Sequence, residues 1–496
     1  MAQSILRRAR PLMAARLLSA GLTFIVPAVL ARVLLPSAYG TFKQGWLLAS
    51  TLALVVPLGA AASLYYFVPR EPERRATFVA QALLWALASG LLAGGLLLAG
   101  RPLVAAHFEN PELTAHLPWV ALFTFFWIAG GPFEAALTSM DRMGRAAIVR
   151  VATEVGRGLA MVVGASLTRS VEGLFVGIAA ALGLRAVLCW IVLVGELGLR
   201  VSWPDLRRQL AYALPLGAAF LLIIPQQQFH QYAVGAAVSA AAFAVYAVGC
   251  FQLPIVEILY TPVSEVLQIG LGEKEHRDDQ RRALALFHEA VSRLAFVFVP
   301  ATAVLFVCAR ELIVFIFTEQ YAGAVPIFRL SLLSIAFSAL PLDGVMRARA
   351  QNRFLLALSV VKLALTVGLV LGGLRIFGPV GAMGGWIAAE VLARLAMLAR
   401  TATLFRASLA RVLPLRDLRR QCLATMIAVP AGWIGLTAFE VPRFFALAFC
   451  GIAFAAVYLG TLWLKGWLPD DWLPLRRTKE KPAHQASAGA ATAREP

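Results

Sequence analysis

Charge is what this sequence has least of. Only 15% of its 496 residues are Asp, Glu, Lys or Arg, and the acidic ones number 27 against 45 basic ones. A soluble chain of this length needs a wider polar surface. Short chemical signatures are missing too. There is no Gly-rich phosphate loop of the P-loop type, no HExxH and no nucleophile elbow, which excludes the usual built-in ATPase, zinc protease and serine hydrolase. The five cysteines, Cys189, Cys250, Cys308, Cys422 and Cys450, lie in or beside apolar runs without metal-ligand or paired spacing, and they read as small packing residues. No metal and no cofactor is expected. Apart from the 260–290 connection the loops are short, so a catalytic loop domain has no place, and the chain reads as a non-enzyme.

What fills the sequence instead is apolar residues, 60% of the total. Runs of about 20 recur along almost the whole length, and each is long enough to cross a hydrocarbon layer roughly 30 Å thick. Backbone in lipid must satisfy its own hydrogen bonds, so such runs are helices; the short alternating segments of a membrane barrel are absent. The expected fold is an all-α polytopic membrane protein of about fourteen spans, near 12–34, 42–67, 78–99, 117–139, 147–167, 173–195, 210–231, 235–260, 290–309, 325–346, 354–374, 380–404, 421–439 and 444–464. Pro27, Pro57, Pro132, Pro225, Pro254, Pro300 and Pro341 fall in them, where they permit kinks.

A formal charge of +18 in a soluble protein suggests nucleic acid, but here the basic residues crowd into the breaks between apolar runs. Counted over alternate breaks, 32 fall on one side and 7 on the other, among them Arg32 and Lys43. By the positive-inside rule the first side is cytoplasmic, both termini with it, and the span number is even. No nucleic-acid partner is expected. Arg7, Arg8 and Arg10 before an apolar run resemble a signal peptide, but no small-residue cleavage site follows, which implies an uncleaved first helix. Residues 196–209 and 271–289 mix charge with Leu, Trp or Phe, as interfacial helices or solvated extensions do. The tail from about 478 is polar and rich in small residues, a composition that predicts disorder.

The chain also echoes itself. PFEAALTSMDRMGRAAIVRVATEVGRGLAMVVG, near span four, aligns with PLDGVMRARAQNRFLLALSVVKLALTVGLVLGG, near span ten. Pro132 matches Pro341, Glu134 matches Asp343, and the basic turn at Arg145 matches that at Arg353. A period of roughly 200 residues, or six spans, gives both halves one orientation, so the repeat is parallel. The expected domains are an N-terminal lobe at 1–200, a C-terminal lobe at 201–405, two further helices in 406–466 and a cytoplasmic tail at 467–496, with a central cavity between the lobes.

Four stretches carry a resemblance. AVLARVLLPSAYGTF, LRRQLAYALPLGAAFLL, RELIVFIFTEQYAGAVPIFRLSLLS and FGPVGAMGGWIAAEVLARL, in this order and spacing, resemble polysaccharide-biosynthesis flippases of the multidrug, oligosaccharidyl-lipid and polysaccharide exporter superfamily. The likeness covers most of residues 10–405 and rests on order, since no single motif is diagnostic. It implies alternating-access export of an undecaprenyl-diphosphate-linked oligosaccharide across a bacterial inner membrane, for O-antigen or exopolysaccharide synthesis. The implied partners are that lipid-linked substrate, the bilayer, a coupling ion such as H+ or Na+, and polysaccharide-assembly proteins.

A diphosphate cannot cross hydrocarbon unpaired, so the cations inside spans are the first candidates. Arg16 lies in span one, a cavity helix in the resembled family, although it is near enough to the cytoplasmic end to snorkel. Lys362 lies mid-span with no carboxylate at helical spacing, and Arg185 is open to either reading. Glu154 with Arg157, three apart, and Glu390 with Arg394, four apart, are either self-neutralising packing pairs or coupling groups. Gln226, Gln227 and Gln228 offer sugar contacts. His230 is either a proton carrier or an interface histidine. Glu134, Asp343 and Glu257 are candidate gates, ion sites or partners of nearby arginines. Two competing readings remain open: an ion-coupled drug or cation extruder of the same fold, which needs an acidic, aromatic cavity, and a membrane-embedded sugar polymerase or ligase, which needs a large outer loop.

Overall fold

The computed structural model describes residue 21 and residues 25–251, 255–273, 279–438 and 441–468. The expected disordered tail, the residues around Arg16 and part of the 271–289 connection lie outside them. Among the described residues there is no strand. The helices in chain order are α1 (residues 25–33), α2 (Pro36–Val55), α3 (Ala60–Arg70), α4 (Arg75–Ala99), α5 (Arg101–Phe108), α6 (Pro111–Ala129), α7 (Pro132–Ser139), α8 (Met143–Thr168), α9 (Val171–Leu197), α10 (Trp203–Ala237), α11 (Ala240–Gly249), α12 (Ile255–Gly272), α13 (Gln280–Val307), α14 (Ala309–Phe317), α15 (Val325–Phe337), α16 (Leu342–Ala348), α17 (Asn352–Leu404), α18 (Leu415–Thr437) and α19 (Arg443–Leu464). Nine helical stretches among the described residues are long and apolar enough to cross a membrane.

The surface is inside out by the standards of soluble proteins. Leu184 and Ile191 on α9 are 62% and 63% exposed, and Met426, Trp433 and Ile452 near the C-terminus are also turned outward. Such a belt is stable only against lipid. Polar and breaking residues mark the helix starts. Pro36, Pro111 and Pro132 occupy first-turn positions, where their missing N–H costs nothing, and the Ser170 and Ser239 hydroxyls accept from the backbone N–H of Gly173 and Ala242.

Helices α2–α9 pack largely on one another, α10–α17 form a second group, and the α18–α19 pair leans on α13. One buried apolar cluster joins the two groups, running from Leu30, Phe42 and Phe175 to Phe243, Tyr246 and Phe328. At its centre α2 crosses α11. A Cβ on Gly40 would stand 1.8 Å from the Ala240 carbonyl oxygen, so only glycine lets these backbones meet. The α2–α3 run leads from this crossing to the other end of the bundle, about 50 Å for 35 residues at 1.5 Å each. The groups are tied at both ends. At the first, the Arg32 guanidinium donates to the Phe315 and Ile316 carbonyls that end α14. At the second, Arg74 binds Asp205 at 3.0 Å and Arg208 binds Glu71. The Arg208 hydrogen bond holds the Glu71 carboxyl below its ordinary range.

The sequence echo is repeated in the backbone at constant spacing. Pro132 opens α7 and Pro341 precedes α16. Asp141 and Ala350 both turn through the left-handed region, and the same six-to-one turn follows each short helix, Arg142 N–H to Leu137 O and Gln351 N–H to Met346 O. Arg169, which ends α8, is matched by Gly378, where α17 bends with φ 63° and ψ −150°. The α8–α9 pair thus corresponds to the two arms of α17. Spans expected at 354–374 and 380–404 are these two arms, and the bend lets proline follow at Pro379.

One boundary differs from the sequence reading in a way that matters. Span two was expected from residue 42, but α2 begins at Pro36. Lys43 is therefore two turns inside a helix rather than in a polar break. Residues 196–209 hold no separate helix: α9 ends at Leu197, and α10 starts at Trp203.

Candidate functional site

A cavity of about 150 Å³ lies between α1, α2 and α8. Val26, Pro27 and Leu30 line one side, Lys43 and Trp46 another, and Glu154, Arg157 and Met161 the third. Glu154 and Arg157 form an ion pair one turn apart on α8. The guanidinium lies 5.1 Å from the Trp46 ring centroid and 5.8 Å from that of Trp127, so two indole faces hold it where water is scarce. Lys43 Nζ lies over the rings of Tyr39 and Phe42. Arg185, on α9, is within electrostatic range of Glu154, Arg157 and Glu134, and its buried Nε has no hydrogen-bond partner among the described residues. Glu134 binds Arg150 at 3.1 Å. Of the four cations here, Arg157 and Arg150 each have a carboxylate partner, whereas Lys43 and Arg185 have none within ion-pair distance among the described residues.

The second group repeats this composition with other residues. Lys362, on the first arm of α17, reaches Glu390 on the second, and Arg394 Nε donates to the other Glu390 oxygen at 3.0 Å. Arg394 also donates to the Phe337 carbonyl at 2.9 Å. Two cations again meet one carboxylate. Asp343 receives Arg347 at 3.2 Å and the Tyr260 hydroxyl, so it is engaged as its counterpart Glu134 is. The side chain of Glu257 and the whole of Arg16 lie outside the described residues.

The three consecutive glutamines of α10, Gln226, Gln227 and Gln228, part company. Gln226 is buried, donating to the Ser359 carbonyl at 3.1 Å while its own carbonyl accepts from Trp386 Nε1 at 3.0 Å. Gln228 accepts from the Thr51 hydroxyl on α2 at 2.7 Å, which links the two groups. Gln227 is exposed. His230 is buried, with Nδ1 2.6 Å from the Tyr246 hydroxyl. Among the described residues no cluster of three His, Cys, Asp or Glu has the geometry to hold a metal ion. A separate apolar cleft on the flank lies between α13 (Val299, Ala303, Phe306) and α18 (Cys422, Met426, Val429).

The polysaccharide biosynthesis protein family matches residues 29–326. The chain belongs to that family. Solved structures share its fold. A lipid II flippase MurJ in an inward closed conformation matches with a TM-score of 0.69 at 12% identity, over 94% of this chain and 100% of that one. The MATE transporter VcmN of Vibrio cholerae, in the form of a point mutant, gives 0.56 at 14%, over 82% and 98%. A MOP superfamily transporter from Pyrococcus furiosus, titled for the reverse polarity of its binding pocket, gives 0.55 at 15%, over 81% and 96%. No curated protein sequence matches the chain. The likenesses establish a polytopic membrane fold shared by flippases and exporters.

Within this family member the sequence reading overlooked Lys43. It is counted with the outer breaks because it stands at the very edge of a span expected from residue 42, six residues later than the true start at Pro36, which was the available signal. The reading also took Lys362 as lacking a carboxylate at helical spacing, which holds along the helix; the partner comes from beyond the bend.

Proposed function

We propose that this protein is a flippase that carries an undecaprenyl-diphosphate-linked oligosaccharide from the cytoplasmic to the outer face of a bacterial inner membrane by alternating access, for O-antigen or exopolysaccharide synthesis. The observation that supports this most is the excess of cations over carboxylates around the α1–α2–α8 cavity. Buried cations in excess cost free energy unless an anion neutralises them, and arginine forks suit paired phosphate oxygens. Lys43, Arg157 and Arg185 are the proposed phosphate contacts on this side, with Lys362 and Arg394 on the other and Arg16 on the first span. Gln226, Gln227 and Gln228 are proposed sugar contacts. Glu134, Glu154, Asp343, Glu257, Glu390 and His230 are proposed coupling or gating groups. The lipid tail would stay in hydrocarbon, for which the apolar α13–α18 flank is suited.

In this reading the chain crosses the membrane about fourteen times, each crossing about 20 residues long, with both termini cytoplasmic. Its lobes are residues 1–200 and 201–405, followed by helices in 406–466 and a tail. A cation extruder is the second reading. It is disfavoured because the one carboxylate lining the cavity, Glu154, is bound by Arg157. The test is deletion followed by locating the lipid-linked precursor. Accumulation on the cytoplasmic face is expected; accumulation on the outer face would overturn the proposal.

A further inference from the structure

Lys43 differs from Arg157, the other cation lining the cavity, in having no ion-pair partner among the described residues. Glu154 is bound by Arg157, and among the described residues no carboxylate lies within ion-pair distance of the Lys43 ammonium. Its own helix presents Tyr39, whose ring centroid is 5.4 Å from Nζ, and Phe42 at 5.7 Å. Beyond Tyr39 stands Tyr321, with ring centroids 5.8 Å apart. From α1 come only Val26, Pro27 and Leu30, and from α8 the engaged Glu154–Arg157 pair. Just past the end of α11 comes the thiol of Cys250. That thiol lies near the Tyr246 hydroxyl, which meets His230 Nδ1 at 2.6 Å. The lysine thus sits where the two helical groups meet and lines the cavity, and among the described residues no carboxylate is free to balance it.

An ammonium held away from water without a counter-charge has two ways to be neutralised: it gives up its proton, or an anion joins it. We infer that Lys43 takes up a proton together with the phosphate group of a bound ligand and releases the two together, so that the transporter moves a proton with each phosphate it admits. The balance is simple. The neutral amine gains one proton to become an ammonium, the ligand oxygens supply the countercharge, and no electron changes place. Arg157 cannot play this part, because a guanidinium does not deprotonate in proteins. The inference rests on the proposed phosphate-carrying function, and it adds a proton that offsets part of the ligand's charge in transit.

Calorimetry on the full chain in detergent, with inorganic diphosphate as the probe, tests this. Titrations near pH 8.5, below the ordinary lysine range of about 10.4, are run in two buffers of different ionisation enthalpy, which yields the protons taken up per diphosphate. The diphosphate's own titration is common to all variants. Wild type is expected to take up close to one proton more than Lys43→Arg, whose charge is permanent. Equal uptake by the two overturns the inference and leaves the proposed function standing; no diphosphate binding by wild type overturns both. Where arginine distorts the site, Lys43→Gln replaces it. That variant is expected to bind at least about tenfold more weakly and to take up fewer protons, and unchanged uptake counts against the inference. Cys250→Ala separates the neighbouring thiol. It is expected to keep the extra proton, and its loss assigns the uptake to Cys250 instead of Lys43.

Discussion

Lys362 and Glu390 stand on opposite arms of α17, and the bend at Gly378 folds them into an ion pair. Arg394 approaches the same carboxylate from one turn away, so a single half-buried anion holds two cations. The balance depends on the carboxylate. Glu390→Gln leaves Lys362 and Arg394 facing each other, and the expected cost is about 2–4 kcal/mol, as for other broken buried pairs. Lys362→Met leaves the Glu390–Arg394 pair intact and is expected to cost less. Thermal melting of the two variants in the same detergent checks the order; a milder effect from Glu390→Gln would contradict it.

The crossing of α2 and α11 allows no side chain at residue 40. A methyl there would overlap the Ala240 carbonyl oxygen, and the obstacle is backbone on both sides. Gly40→Ala is expected to destabilise the protein by at least about 2 kcal/mol, in the range of an overpacked core. A change to alanine at Gly144, where a Cβ meets open space, is the control and should leave the melting temperature unchanged or raised.

The ties at the two ends of the bundle differ in their response to acid. The Arg208 hydrogen bond depresses the Glu71 carboxyl, so this clasp contributes stability above the unfolded value, about 4.3 for glutamate, and loses it as pH falls through the lower folded value. Spin labels placed on α3 and α10 should keep their separation from pH 7 to pH 5 and move apart only under stronger acid. Separation already near pH 6 would show that another group governs the clasp.

Arg32 ties the other end without a carboxylate, by filling the last carbonyls of α14. Its acceptors are backbone carbonyls, so acid finds no carboxylate to protonate at this tie. Arg32→Gln is expected to speed amide exchange in α14 several-fold while α4 and α6, which make no contact with it, exchange as before. Equal protection in wild type and variant would show that the helix end is held by packing alone.

Much of the architecture was legible because lipid imposes a simple rule. Apolar runs of sufficient length are helices. The local repeat was also readable, since Pro132 and Pro341, and Glu134 and Asp343, stand at constant spacing, and the backbone turns after them agree. Helical pairs such as Glu154 with Arg157 and Glu390 with Arg394 followed from periodicity, because residues three or four apart share a face. The sequence by itself determined these features, since each depends on neighbours along the chain.

Contacts across helices came from packing alone. It joined Lys362 to Glu390 through a bend and brought Gln228 to Thr51 across the two groups. It also moved Lys43 from an assumed loop to a cavity wall opposite Arg157. Helix periodicity fixes which residues share a face but not which face a distant helix will cover. Backbone approaches such as that of Gly40 to Ala240 set that choice, and packing between elements far apart in sequence decides them.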